Sequence, residues 1–302
     1  MNMQKTIKNR IVLVLVIGFM IFADDAAAQV NGPIAFVSYQ DGESNIYLIN
    51  VDGSDMTQLT NNRSVDTDPA FSRDGKMIAF VSSRHDVSGG LGEIYFMKAN
   101  GNSQTRVTYE DGSAYSPTWS PDGERIAFIQ SYANGYKIII INADGRGRTA
   151  IYSSVNRLTS LDWSPTGTKL VVSKSVGDFN SVLLTINADG TGELVIAAGG
   201  FLDNYHHPAW SPDGSLILFG FDGFLKRRLD VIDVNGNNRQ TVVDGDSGDP
   251  TWSPDGTRIA YTLLAGRNFP LLVVNSDGSR HMKVKNDYPA RSPSWGSVRR
   301  EE

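Results

Sequence analysis

All five tryptophans of this 302-residue chain sit in one slot of a recurring phrase, so the fold is built from a single unit copied several times. The phrase reads WSPDG at 119–123, 210–214 and 252–256, and WSPTG at 163–167. Two imperfect copies flank these, FSRDG at 71–75 and a truncated WGS at 295–297. The anchors Phe71, Trp119, Trp163, Trp210, Trp252 and Trp295 are spaced by 48, 44, 47, 42 and 43 residues. A period of about 40–50 residues belongs to propellers or to helical arrays, and the content of one copy decides between them.

Residues 116–152 serve as the specimen. A short extended run ends at Ser120 and is closed by Pro121-Asp122-Gly123, where proline presets φ and glycine accepts a positive one. The strand RIAFIQ follows from Arg125, then a loop with Asn134-Gly135, then the β-branched run Lys137–Ile141. Asn142-Ala143-Asp144-Gly145 makes a second tight turn, and an edge strand follows near Arg148 to Tyr152. Short β-branched and aromatic runs punctuated by Asp-Gly predict strands, so each copy is a four-stranded antiparallel meander. Sheets with two apolar faces need cover on both sides, which a ring of radially packed blades provides without helices.

The chain ends set the blade number. No strand follows Trp295, whereas the early segment Pro33-Ile34-Ala35-Phe36-Val37-Ser38 matches the IAF strand missing there. The expectation is an all-β, six-bladed propeller over 29–302, closed by the N-terminal strand joining the C-terminal blade.

Residues 1–28 read as a signal peptide. Lys5, Lys8 and Arg10 precede the apolar run Ile11–Phe22, and Ala26-Ala27-Ala28 offers a small-residue cleavage site. That run is shorter than the roughly 20 residues of a membrane span, so no transmembrane segment is expected after cleavage. Removing the leader takes the formal charge from −5 to −6. A mildly acidic chain without a basic run is not expected to bind nucleic acid or anionic lipid. Zero cysteines exclude disulfides and thiolate chemistry.

The phrase xPxWSPDGxxIAF, followed by an IYxxNxDG strand and a short strand such as Gln58-Leu59-Thr60, resembles the TolB-type propeller repeat (WD40-like PD repeat) over nearly all of 32–296. TolB proteins are periplasmic members of the Tol–Pal system whose propeller binds a peptidoglycan-associated lipoprotein. The resemblance therefore implies a periplasmic or secreted binding protein. Because the first blade strand is expected a few residues after the leader, the N-terminal α/β domain of that family is not expected here.

Several motifs are candidate sites. Gly245-Asp246-Ser247-Gly248 resembles a serine-protease nucleophile motif, but it lies in a loop without the His and buried Asp that such chemistry needs. Asp244, Asp246 and Asp249 crowd the same loop, although their spacing departs from a calcium loop; a cation there is a weak alternative to the expected absence of cofactors. Asp203, Tyr205, His206 and His207 form the most unusual local cluster. His207 occupies the slot held elsewhere by Asp68, Ser116, Ser160, Asp249 and Ser292, which begins each innermost strand beside the channel mouth. Adjacent histidines on an extended strand point to opposite faces, so His206 and His207 are not expected to ligate one metal together.

Alternating strand direction places the Pro-Asp-Gly and Asn-x-Asp-Gly turns on one face. The more variable loops lie on the other, and their aromatic and charged residues are of the kinds enriched at recognition surfaces. The expected site is accordingly Asp68, Asp111, Tyr115, Tyr205, His206, His207 and Asp249, with no catalytic residue assigned. The expected partner is an envelope or secreted protein, or a surface glycan. A carbohydrate-cleaving hydrolase or lyase is the alternative.

Overall fold

The computed structural model describes residues 30–40, 43–86, 91–109, 112–265, 268–285 and 288–298. Residues 1–28 and Asp111 lie outside them.

Twenty-four strands form six sheets of four antiparallel strands. Blade 1 takes its innermost strand, Arg291–Val298, from the C-terminal part of the chain and its other three, Val30–Gln40, Glu43–Ile49 and Thr57–Gln58, from the N-terminal part. The closing register pairs Ile34 with Trp295 and Ala35 with Ser294. Blades 2 to 6 follow in chain order, with innermost strands Asp66–Phe71, Ser113–Trp119, Leu158–Trp163, Asn204–Trp210 and Ser247–Trp252. The expected third strand of the specimen copy, Lys137–Ile141, appears as Gly135–Asn142.

The apolar residues form six separate clusters, one at each junction between neighbouring blades. Ile34, Phe36 and Trp295 of blade 1 meet Ala260, Leu271 and Val273 of blade 6, while Ala35 and Ile46 on the opposite face meet Ile78, Phe80 and Met97 of blade 2. This is why strands such as Met77–Ser82 read as continuous apolar runs: both faces are inside. The tryptophans are buried in these junctions, and Trp119 and Trp252 donate from Nε1 to the carbonyls of Ala70 and Ala209 on the preceding blade.

Each turn is fastened by its own side chains. In blade 5, Asp213 Oδ1 accepts from the Ser211 hydroxyl at 2.6 Å and from the Ser215 N–H at 3.0 Å. In blade 4 Thr166 replaces the aspartate, and its hydroxyl lies 3.2 Å from Ser164 Oγ. Arg73 stands where the other copies carry proline, and its Nη1 reaches the Pro165 carbonyl two blades away at 3.3 Å.

Candidate functional site

The six innermost strands line one cavity of about 270 Å³ that opens on the variable face. Its outer rim is the slot ring Asp68, Ser116, Ser160, His207, Asp249 and Ser292. Five of these precede proline, and those five have positive φ: Asp68 50°, Ser116 52°, His207 46°, Asp249 51° and Ser292 46°. Ser160 precedes Leu161 and is not among them. The following proline supplies no N–H for the ladder, and the slot residue before it forms a left-handed bulge in the strand. The register of each of these strands shifts at this point, as between His206 and Ala209.

At three of these bulges the slot N–H donates to the slot side chain of the blade before it. Asp68 Oδ2 accepts from Ser116 N at 3.2 Å, Ser160 Oγ from His207 N at 3.0 Å, and Asp249 Oδ2 from Ser292 N at 3.2 Å. In blade 4, where no proline follows, the Leu161 N–H serves instead and donates to Ser116 Oγ at 3.2 Å. Polar contacts between slots thus run around the mouth from Asp68 of blade 2 to Ser292 of blade 1. A left-handed conformation costs a non-glycine residue about 1–3 kcal/mol, and five of them around one opening fit a functional rim better than a purely structural one.

The bulge also breaks the strand alternation that would part the two histidines. With His207 at φ 46°, the strand no longer alternates there, and His206 Nδ1 lies 3.1 Å from His207 Nδ1 with the rings edge to face. His206 Nε2 approaches Asp222 Oδ1 at 3.3 Å, and His207 Nδ1 approaches Asp249 Oδ1 at 3.2 Å. The rim therefore carries a chain of four side chains, Asp222, His206, His207 and Asp249. Gly220 makes room for it: a Cβ at that position would stand 2.1 Å from His206 Cε1. The equivalent residues of other blades include Val81, Ile129 and Thr262, so this glycine was a readable departure in the sequence.

The protein walls penalise charge at the mouth. Burial pushes the Asp68 carboxyl up, opposed by His207 across the opening. Burial likewise pushes the His207 imidazole down, with Asp249 opposing and His206 reinforcing the shift. Water still reaches 45% of the His207 side chain, which moderates the effect, whereas the Asp249 side chain is only 12% exposed. One layer deeper, burial pushes Asp162 up to about 6, although it accepts from Trp210 N at 2.8 Å and Thr118 Oγ1 at 2.9 Å. Asp162 escaped sequence reasoning, yet the position before the anchor aromatic is Ala70, Thr118, Ala209, Thr251 and Ser294 in the other copies. Arg291 was missed too; it lies near His207 and stacks on Phe269, with Cζ 3.8 Å from the ring centroid.

The remaining expected residues do not join this rim. Tyr205 is a correction: it is only 2% exposed and packs on Phe219 and Phe221, with Arg239 Nη1 3.3 Å from its hydroxyl. The position two before the slot is buried in every blade, as Asp66, Ala114, Leu158, Ser247 and Ala290 show, so the strand carries Tyr205 inward. The Tyr115 hydroxyl donates to the Leu158 carbonyl at 2.6 Å and ties blade 3 to blade 4; burial raises its pKa. Asp244 and Asp246 are exposed in their loop while Asp249 faces His207 and Ser292. Among the described residues no three His, Asp or Glu are grouped to hold a metal ion. Ser247 is buried and donates to the Gly245 carbonyl at 2.9 Å, an ordinary turn contact.

Residues 30–201 match the family described as the TolB beta propeller domain. Among curated relatives, the protein TolB homolog of Chlorobium luteolum is 41% identical over 54 residues, covering 18% of this chain and 12% of that protein. The Tol-Pal system protein TolB of Geobacter metallireducens is 42% identical over 64 residues, covering 19% and 15%. The match therefore spans less than a sixth of either relative's length. The crystal structure of TolB from Acinetobacter baumannii superposes with a TM-score of 0.76 at 18% identity, over 88% of this chain and 66% of that one, a likeness of fold. Among the described residues no helix is long and apolar enough to cross a membrane.

Proposed function

This chain belongs to the TolB β-propeller domain family, and from that premise we propose that it is an exported, non-catalytic binding module that takes an envelope protein at its channel mouth. The observation that carries the reading is the polar rim, where side chains from six blades converge on one opening and five of them are held in a costly backbone conformation. Membership of a family with Tol-Pal relatives supports a protein partner in the periplasm or at the cell surface. The leader-like residues 1–28 support export.

The test is capture of partners from an envelope fraction by immobilised protein, with the wild type compared with His207→Ser and Asp249→Ser, which install the residue type of other slots. Loss of a central contact costs over about 1 kcal/mol, so capture of the partner should fall at least about fivefold. Undiminished capture by both variants would place the working surface elsewhere. Polysaccharide turnover abolished by His207→Ser would replace the binding reading with an enzymatic one.

A further inference from the structure

The channel is layered, and the layers follow the innermost strands. Below the slot ring comes a collar of five prolines, Pro69, Pro117, Pro208, Pro250 and Pro293, completed by Leu161; all line the cavity and all are buried. Below the collar lie the positions that precede the anchor aromatics, Ala70, Thr118, Asp162, Ala209, Thr251 and Ser294, which line the cavity too. That layer holds three hydroxyls and one carboxylate. A polar mouth thus leads through an apolar sleeve to a single acid.

Asp162 is placed to take a cation and is met only by neutral donors. Its oxygens accept from the Trp210 N–H at 2.8 Å and from the Thr118 hydroxyl at 2.9 Å. An ionised carboxylate offers about four acceptor sites, so roughly half of its capacity is open. Space remains around it, since together with Thr118 and Trp210 it also lines a second cavity of about 170 Å³. Among the described residues no cationic side chain pairs with it, and no three His, Asp or Glu gather there to hold a metal ion.

We infer, on the reading that a partner protein docks at the mouth, that this partner seats a lysine side chain in the channel, with its methylene stem inside the proline collar and its ammonium on Asp162. Asp162 stands two residues below the Ser160 slot, roughly 7 Å at about 3.3 Å per residue, which matches the reach of an extended lysine side chain. A lysine covers apolar surface with its stem and carries its charge at the tip, the same order as collar and acid. Arginine fits less well. Its planar fork calls for both oxygens of a carboxylate side by side, and each oxygen of Asp162 already holds a donor, whereas an ammonium is a compact charge with three rotatable donors.

The probe is a capped pentapeptide, Gly-Gly-Lys-Gly-Gly, beside the same peptide with norleucine, which keeps the stem and lacks the ammonium. Titrated into the whole protein at pH 7, the lysine peptide should move the methyl resonances of Thr118 and Thr251. Norleucine should weaken binding at least about tenfold, and so should Asp162→Asn, a variant of the same shape. Equal binding of the norleucine peptide overturns the proposal, since the stem alone then suffices. Undiminished binding of the lysine peptide by Asp162→Asn overturns it as well, because the ammonium then sits elsewhere. Threonine resonances that ignore the peptide but move with calcium chloride would give the site to a metal ion and also overturn it. In capture from an envelope fraction, Asp162→Asn should lower the yield of the partner at least about fivefold. Capture that survives Asp162→Asn but falls with His207→Ser removes the lysine and leaves the docking site standing; capture untouched by every rim and channel variant removes both.

Discussion

The turn carboxylates and the channel carboxylates Asp68 and Asp162 are treated in opposite ways, while Asp222 on the rim, held by His206, is lowered as the turn carboxylates are. At the turn end, the Ser211 hydroxyl and the Ser215 N–H hold the Asp213 carboxyl below the ordinary range, and Ser279 does the same for Asp277. These charges are met by donors from their own turn. In the channel and at its mouth, burial pushes Asp162 and Asp68 up, and the donors that reach them come from other blades. The turn carboxylates thus belong to the fold, because their ionised form is the one the backbone needs. The channel carboxylates are under-solvated, so a partner that brings donors or positive charge gains what the protein itself leaves unsatisfied.

The contrast predicts where stability resides. Trp119→Ala, which empties the junction of blades 2 and 3, should cost about 3–5 kcal/mol, whereas His207→Ser at the rim should leave the melting temperature within about 2 °C. Thermal melts of the two variants side by side decide this; equal losses would mean that the rim is part of the core.

pH should separate the two ends by sign. Asp162 titrates near 6 in the folded chain against 3.8 unfolded, so the folded state holds its proton longer and stability falls as pH rises from about 4 to 6. Asp162→Asn should flatten that slope and gain on the order of 1 kcal/mol at pH 7, allowing for channel water. Asp213 is the reverse case: its contribution is present above 3.8 and is lost as pH falls through its lower folded value. Asp213→Asn should cost under about 1 kcal/mol at pH 7 and nothing in strong acid, since the turn is exposed. Melts of both variants from pH 3 to pH 8 check the signs, and parallel curves would erase the distinction.

The smallest stability change is expected from Gly220→Ala. Its Cβ meets the movable end of His206 rather than backbone, so the ring should swing away from His207 with little loss of stability. Histidine proton resonances report the separation. An unchanged His206 signal would mean that the imidazole does not rest on this glycine.

The repeat made the fold legible: the anchor spacing, the Asp-Gly turns and the misplaced IAF strand led to six blades and their closure. The site was legible only by column. The slot column singled out Asp68, His207 and Asp249, and all three lie on the rim. Tyr205 misled because tyrosine in a long connection looks like a recognition residue, while its column is buried in every blade. The meeting of His206 with His207 was hidden for another reason. Strand alternation assumes extended backbone, and the X-Pro bulge that breaks it depends on an N–H finding the preceding blade, a contact about 47 residues away in sequence.

The shared sheet of blade 1 also sets a schedule for synthesis. Val30–Gln40 emerges early from the ribosome, but its inner neighbour Arg291–Val298 is translated some 250 residues later. At about 5–20 residues per second that interval is on the order of 10–50 s, during which one edge of the first strand has no native neighbour. Blades 2 to 6 can form as they appear, whereas the ring becomes a ring only after Arg291–Val298 has been made. Closure is therefore a late event, and the nascent chain stays an open arc until that strand arrives.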